Sequence, residues 1–316
     1  MITPGRLLYL IWHRPLAGLR QCVADGGPLE QWRTYRGRRA MERAAAHLPP
    51  LPAPGGPPLA VHLLTGHRFW YQTAFCLWSF ARHSARPLAP VIIDDGTLTE
   101  PDRAVLRGLH PATRFLGREE AAARLHQHLP AARFPRLHDR WQHYPHIRKL
   151  IDPHLGARGW KLVLDSDLLF FRRPQFLLDW LAAPDRPLHA VDIATAYGYA
   201  PELLARVAGA PVPERVNVGL TGLASEELDW ERIEHWCAQL IGAAGTHYYL
   251  EQALVALLVT GRTCAVAPAA DYVTLPRPPE AAECRAVMHH YVAESKPWYF
   301  RHNWRRVLAE TPRPAP

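Results

Sequence analysis

The sequence predicts an α/β fold: an open, mostly parallel mixed sheet flanked by helices, with a helical extension in front of it. Three observations point there. Beyond residue 58, short β-rich apolar runs alternate with longer segments of helical period. One of those runs, "KLVLDSDLLFF" from Lys161 to Phe171, carries two carboxylates, Asp165 and Asp167, in its middle. Ahead of the alternation, "PPLPAPGGPP" is a breaker-rich stretch in which neither helix nor strand persists. We therefore divide the chain into a basic helical extension with its Pro/Gly linker, residues 1–57, and a main domain, residues 58–316.

Taken in order, the first fifty residues read as helical and basic, "QWRTYRGRRAMERAAAHL" setting five arginines among apolar residues. "LAVHLLT" reads as a first strand and "FWYQTAFCLWSFARHS" as the helix after it. "APVIIDDGTLTEPD" contains a strand ending in Asp94 and Asp95, and Thr99 with Asp102 forms a capping-box start for "EPDRAVLRGL". "EEAAARLHQHL" and "LHDRWQHYPHIRKLID" supply helical material before the acidic strand. After it come the helix "RPQFLLDWLA", the strands "HAVDIAT" and "RVNVGLTGL", the helices "LDWERIEHWCAQLIG" and "HYYLEQALVALLVTG", and the late strands "TCAVAP" and "AVMHHYV". The tail "TPRPAP" reads as frayed.

Composition bounds the function. Of the 316 residues 48% are hydrophobic and 21% charged, enough for a sizeable core. Five scattered cysteines, without a CxxC pair or zinc spacing, read as buried thiols of a reducing compartment. No run reaches the roughly 18 apolar residues of a membrane span, and "RLLYLIW" is too short for a signal peptide core. The expected location is cytoplasmic. A net charge of +8 suits an anionic partner, but its basic residues are not interleaved with a nucleic-acid-reading motif, and no nucleic acid is expected. The basic N-terminus suits packing on the domain or peripheral contact with the inner membrane face; Trp12, Trp32 and Tyr35 favour packing.

On an extended strand, residues i and i+2 share a side, so Asp165 and Asp167 converge if the strand continues through them. They follow "KLVL", which places them at a strand's carboxyl end, the edge where open α/β sheets bind ligands. Two close carboxylates repel and are costly to desolvate, and a divalent cation, Mn²⁺ or Mg²⁺, resolves both costs. Alone, such a triplet also serves as a cap or loop pair. A haloacid-dehalogenase-type phosphatase would place Thr or Val where this chain has Leu169. The second informative segment is "MHHYVAESKPWYF". His290 could complete a carboxylate–metal set and Lys296 offers a cation for a diphosphate, though an edge strand with an exposed loop would look similar.

"VLDSDLLF" followed by "HYVAESKPW" resembles the nucleotide-sugar glycosyltransferases of the GT-A fold, most closely the family 8 type related to lipopolysaccharide galactosyltransferases and glycogenin. The resemblance spans roughly Leu59 to Arg301 in patches. It implies that Asp165, Asp167 and His290 bind the metal and that Lys296 contacts the donor diphosphate. "VNVGLTGL" resembles the family's FNxG segment, making Asn217 a donor-sugar contact and Gly219 a point of close backbone approach. "YLEQALV" resembles its DQxxLN helix start, making Glu251 a sugar-hydroxyl ligand and Gln252 the residue nearest the anomeric carbon. "HIRKLIDP" resembles the helix before the acidic strand, with Lys149 or its neighbour Arg148 in the place of the family's arginine.

Departures exist. The first strand ends in "LLTGHRFWY", where Thr65, Gly66 and His67 stand in place of the usual acidic or amide uracil ligand, and Ala293 replaces the glycine of the HxxGxxKPW loop. Asp94 and Asp95 offer a nucleoside-binding edge or a simple "DDG" turn. The implied function is metal-dependent transfer of a sugar from a nucleotide-diphosphate sugar, UDP favoured, to a glycan or lipid-linked acceptor hydroxyl. The resemblance implies retention; an inverting enzyme would need a carboxylate base, for which Glu251 is the candidate. A non-catalytic binder of the same fold is the alternative.

Overall fold

The computed structural model describes residues 26–49 and 55–309. "RLLYLIW", Trp12, Cys22, part of the Pro/Gly linker and residues 310–316 lie outside the described residues. The four remaining cysteines are free thiols, and Cys264 alone among them is not buried. Among the described residues no helix is long and apolar enough to cross a membrane.

Helix α1 (Pro28–Ala45) comes first. Then β1 (Leu59–Thr65), α2 (Trp70–His83), β2 (Leu88–Asp94), α3 (Glu100–Leu109), β3 (Arg114–Leu116), α4 (Arg118–His128), α5 (Pro135–His143) and α6 (Arg148–Ile151) lead to β4 (Trp160–Leu164) and β5 (Leu168–Phe170). The second half runs α7 (Gln175–Ala182), β6 (Leu188–Val191), α8 (Pro201–Ala208), β7 (Val216–Ala224), α9 (Trp230–Ala244), α10 (Leu250–Val259), β8 (Ala265–Val266) and β9 (Tyr272–Thr274). It closes with α11 (Pro278–Glu283), β10 (Met288–His290), a turn over Lys296–Trp298, a π-helical turn over Tyr299–Asn303, and α12 (Trp304–Ala309). The Thr99–Asp102 capping box is present in both directions.

Seven strands form the main sheet in the order β3-β2-β1-β4-β7-β6-β8. Both pairings of β7 are antiparallel and the others in this sheet are parallel. A second, three-stranded sheet runs β5-β10-β9. Strand alternation splits the core into two faces. Leu59, Val61 and Leu63 of β1 join a cluster with α1, α2 and the small sheet, whereas Leu64 packs against a cluster built by α4, α5, α8, α9 and α10. The strand order reverses at β1/β4, and the carboxyl ends of these strands are the edge where open α/β sheets bind ligands.

Helix α1 is bound to the main body. Met41 and Ala45 enter the core, and Gly37 admits the Phe300 carbonyl so closely that a Cβ there would sit 2.4 Å from its oxygen. Arg301 reaches back to Glu30 and to the Thr34 hydroxyl.

Buried histidines make the fold acid-sensitive, His62, His110 and His154 among them. Burial pushes His62 and His110 down to about 4 and His154 down to about 3, so the fold keeps them neutral. The unfolded chain protonates near 6.5 and therefore binds more protons than the fold below that pH. Their contribution is complete above about pH 6.5 and is lost as pH falls toward 4. A urea titration at pH 5.5 should show a loss of roughly 1 kcal/mol per histidine relative to pH 7.5; an unchanged midpoint would contradict the assignment.

Candidate metal centre at the sheet edge

Asp165 immediately follows β4 and Asp167 immediately precedes β5. The strand does not continue through them. A turn at Ser166 and Asp167 carries the chain from the main sheet to the small one, and this corner brings the aspartates together. His290 ends β10, which pairs antiparallel with β5, so His290 lies opposite Leu168; the Tyr291 N–H donates to the Asp167 carbonyl at 3.1 Å. The long-range pairing places the histidine beside the aspartates.

His290 Nε2 lies 3.2 Å from Asp167 Oδ1 and 3.6 Å from Asp165 Oδ2, in a direction that makes no hydrogen bond. Each aspartate gives its other oxygen to a lysine. Lys149 Nζ lies 2.7 Å from Asp165 Oδ1, and Lys296 Nζ lies 2.5 Å from Asp167 Oδ2. Two carboxylate oxygens and one orphaned imidazole nitrogen are left converging, within 4.8 Å of one another. Ligands of a small octahedral divalent cation stand roughly 3 Å apart, so this donor set fits one. Among the described residues it is the only cluster of this kind.

The electrostatics hold Asp167 ionised. Burial alone would raise Asp167, but Lys296 and His290 reverse this and keep it far below the usual carboxylate range. Burial would likewise neutralise Lys149, yet the Asp165 and Glu251 carboxylates raise it above an ordinary lysine. Glu251 lies 3.2 Å from the same ammonium; burial pushes it up to about 7 against that pull.

A bulge in the β6–β7 pairing makes the floor. His189 of β6 pairs with Thr221 but its neighbour Ala190 pairs with Asn217, so Val218, Gly219 and Leu220 have no partner on β6, while Leu220 stays paired with Leu164 of β4. Gly219 donates its N–H to Asn217 Oδ1 at 2.9 Å and its carbonyl accepts from Asp165 N at 2.8 Å. A Cβ on Gly219 would sit 2.2 Å from His290 Cε1, so only glycine leaves the imidazole its place.

The remaining residues singled out in the sequence gather at the same edge with different engagements. Glu251 and Gln252 occupy the buried first turn of α10. Thr65 is buried at the end of β1, its hydroxyl unpartnered. Asp94 commits Oδ1 to the Gly96 and Leu98 N–H groups and Oδ2 to Arg103, building the turn after β2. Asp95 Oδ1 accepts from Thr97 N and Oγ1, and both oxygens of this carboxylate would lie about 2 Å from a Cβ on Gly66. Arg148 turns away from the aspartates into the core, donating to Asp152 Oδ2 at 2.7 Å and to the Asp94 carbonyl at 2.8 Å over the Trp141 ring. Lys149 alone of this pair reaches the acidic corner.

Sequence reasoning missed Asp192. It follows β6, and its Oδ2 accepts from Asn217 Nδ2 at 2.9 Å and Gln252 Nε2 at 3.0 Å, joining two predicted site residues. Its signal was an aspartate closing "HAVD", the same strand-end position that drew attention to Asp165. Tyr144 was missed as well; its hydroxyl donates to the Tyr248 carbonyl and accepts from Glu251 N at 3.3 Å, fixing the start of α10.

Comparison with solved structures decides the architecture. The bifunctional glycosyltransferase WbbM superposes with a TM-score of 0.54 at 15% identity, over 83% of this chain and 51% of its own. The galactosyltransferase LgtC, solved with donor and acceptor sugar analogues, gives 0.51 at 16% identity over 79% of this chain and 94% of its own. The fold is that of the GT-A glycosyltransferases. Mouse xyloside xylosyltransferase 1 gives 0.50 at 14% identity, over 73% of this chain and 97% of its own. This chain thus spans about half of the bifunctional protein and nearly all of the other two. No protein-family model and no curated protein matches the sequence. Within the GT-A frame, the Asp165–Asp167–His290 group is a candidate divalent-metal site at the carboxyl edge of the sheet.

Proposed function

We propose that the protein is a metal-dependent glycosyltransferase of hexosyltransferase type, moving a sugar from a nucleotide-diphosphate sugar, UDP favoured, to a hydroxyl of a glycan or lipid-linked acceptor. In this reading residues 58–316 are the transferase domain and residues 1–57 its extension, working in the cytoplasm or peripherally on the inner membrane face. The observation that carries it is the convergence of Asp165 Oδ2, Asp167 Oδ1 and an orphaned His290 Nε2 at the ligand-binding edge of a GT-A fold. Mn²⁺ or Mg²⁺ held there would act as a Lewis acid toward the leaving diphosphate.

The protein's own residues supply the rest. Lys296, already at Asp167, adds positive charge where the diphosphate gains negative charge. Gly219, by lacking a side chain, keeps the floor open, and Asn217 with Gln252, both held by Asp192, presents amides to the donor sugar. Gln252 is a weak nucleophile, which favours attack by the acceptor hydroxyl on the face the diphosphate leaves, with retention. Lys149 keeps Glu251 and Asp165 in register as sugar-hydroxyl and metal ligands. Thr65, Asp94, Asp95 and Arg148 line or brace the edge proposed for the nucleoside.

The test is a panel of nucleotide sugars assayed for Mn²⁺-dependent hydrolysis or transfer. At least one should turn over, with chelation abolishing the signal; a blank panel would refute the reading.

A further inference from the structure

Helix α1 has two unlike faces. Gly37, Met41 and Ala45 are buried against the body, whereas Leu29, Trp32 and Tyr35, each three residues apart on the other side, are 57%, 51% and 61% exposed. Arginines flank this outer stripe. Arg36 stacks over the Trp32 ring at 4.7 Å, and Arg39 is tied only to Glu42 on its own helix. Where α1 meets the last helical segment there is a cavity of about 460 Å³ lined by Trp32, Arg33, Arg36, Arg43, Arg301 and Arg305, with no acidic residue in its wall. Glu30 accounts for Arg33 and Arg301. Among the described residues Arg36, Arg43 and Arg305 have no carboxylate within ion-pair distance.

From these features we infer that the outer face of α1, with the arginine-lined cavity beside it, docks on an anionic phospholipid surface. A helix that exposes Trp, Tyr and Leu among arginines, on a chain of net charge +8, matches the chemistry of an interfacial helix, whose rings enter the headgroup layer while guanidinium groups bind lipid phosphates. The cavity gives one phosphate a guanidinium-lined seat. The helical run holding Arg301 and Arg305 begins at Lys296, which touches Asp167. One helical run thus joins the docking arginines to the acidic corner, and a lipid-linked acceptor is the substrate that such docking would serve. This deepens the proposed acceptor class and rests on that reading for its purpose, but not for its test.

The full-length protein is sedimented with vesicles of phosphatidylcholine alone or with 30% phosphatidylglycerol, without donor or acceptor. Wild type should bind the anionic vesicles and not the neutral ones. The triple variant Arg36→Ser, Arg43→Ser, Arg305→Ser should bind roughly a hundredfold more weakly, and Trp32→Ser should weaken binding separately. Unaltered thermal unfolding would confirm that the variants fold. Equal binding of variant and wild type, binding indifferent to lipid charge, or stabilisation by inorganic phosphate without vesicle binding would each overturn the inference. A failed nucleotide-sugar panel would leave this result unaffected.

Discussion

Asp167→Ala is expected to lower Mn²⁺-dependent transfer by at least about 10³-fold while leaving the fold intact. The side chain supplies one of three converging donor atoms and holds Lys296, so its loss removes a metal ligand and frees the cation that would meet the diphosphate. The fold should survive because the bond that positions the corner is made by the Asp167 carbonyl to Tyr291 N, which the substitution keeps. Asp167→Asn separates charge from shape, retaining the turn and the reach to Lys296 without the anion. Steady-state rates beside thermal unfolding check this. Both variants should be inactive with unfolding temperatures near that of wild type, and near-wild-type turnover in either would exclude Asp167 as a ligand.

Gly219→Ala is the second large effect, and it acts through His290. The new methyl would lie 2.2 Å from His290 Cε1 and 2.9 Å from Asn217 Oδ1. His290 is 4% exposed, with β5 and β9 on either side of its strand, and has little room to withdraw. Either the ring rotates out of the triad or β7 retreats and gives up the Gly219–Asp165 backbone bond. Expected are a loss of roughly 1–3 kcal/mol of stability from overpacking and a fall of about 10- to 100-fold in Mn²⁺ affinity. Mn²⁺ titration together with urea unfolding would show both; unchanged Mn²⁺ affinity would mean that the glycine serves the ladder and not the imidazole.

Local patterns made much of this legible. β1 falls on "LAVHLLT" because its alternation needs no distant partner, and α3 starts where Thr99 and Asp102 cap each other. The acidic pair was legible as a site, but the means of convergence was not. Whether the chain stays extended at Ser166 depends on β5 pairing with β10, more than a hundred residues away. Asp192 was hidden for a related reason: its partners Asn217 and Gln252 lie 25 and 60 residues distant, and an aspartate closing a strand does not by itself name them. The choice between Arg148 and Lys149 depends on helix phase after the 3₁₀ turn Pro145–Ile147, where a shift of one residue would exchange them. The two faces of α1 were present in its sequence, yet which face was free became clear only once Phe300 was found against Gly37.

The most direct test of the metal–nucleotide assignment is thermal unfolding of wild type and Asp167→Ala with UDP or GDP, each with and without Mn²⁺. A ligand at a hundred times its Kd stabilises by about 2.7 kcal/mol, a rise of several degrees for a chain of this size. The account predicts that rise for at least one nucleoside diphosphate, only when Mn²⁺ is present and only in wild type. No rise with either nucleotide, or an equal rise in the variant, would contradict it.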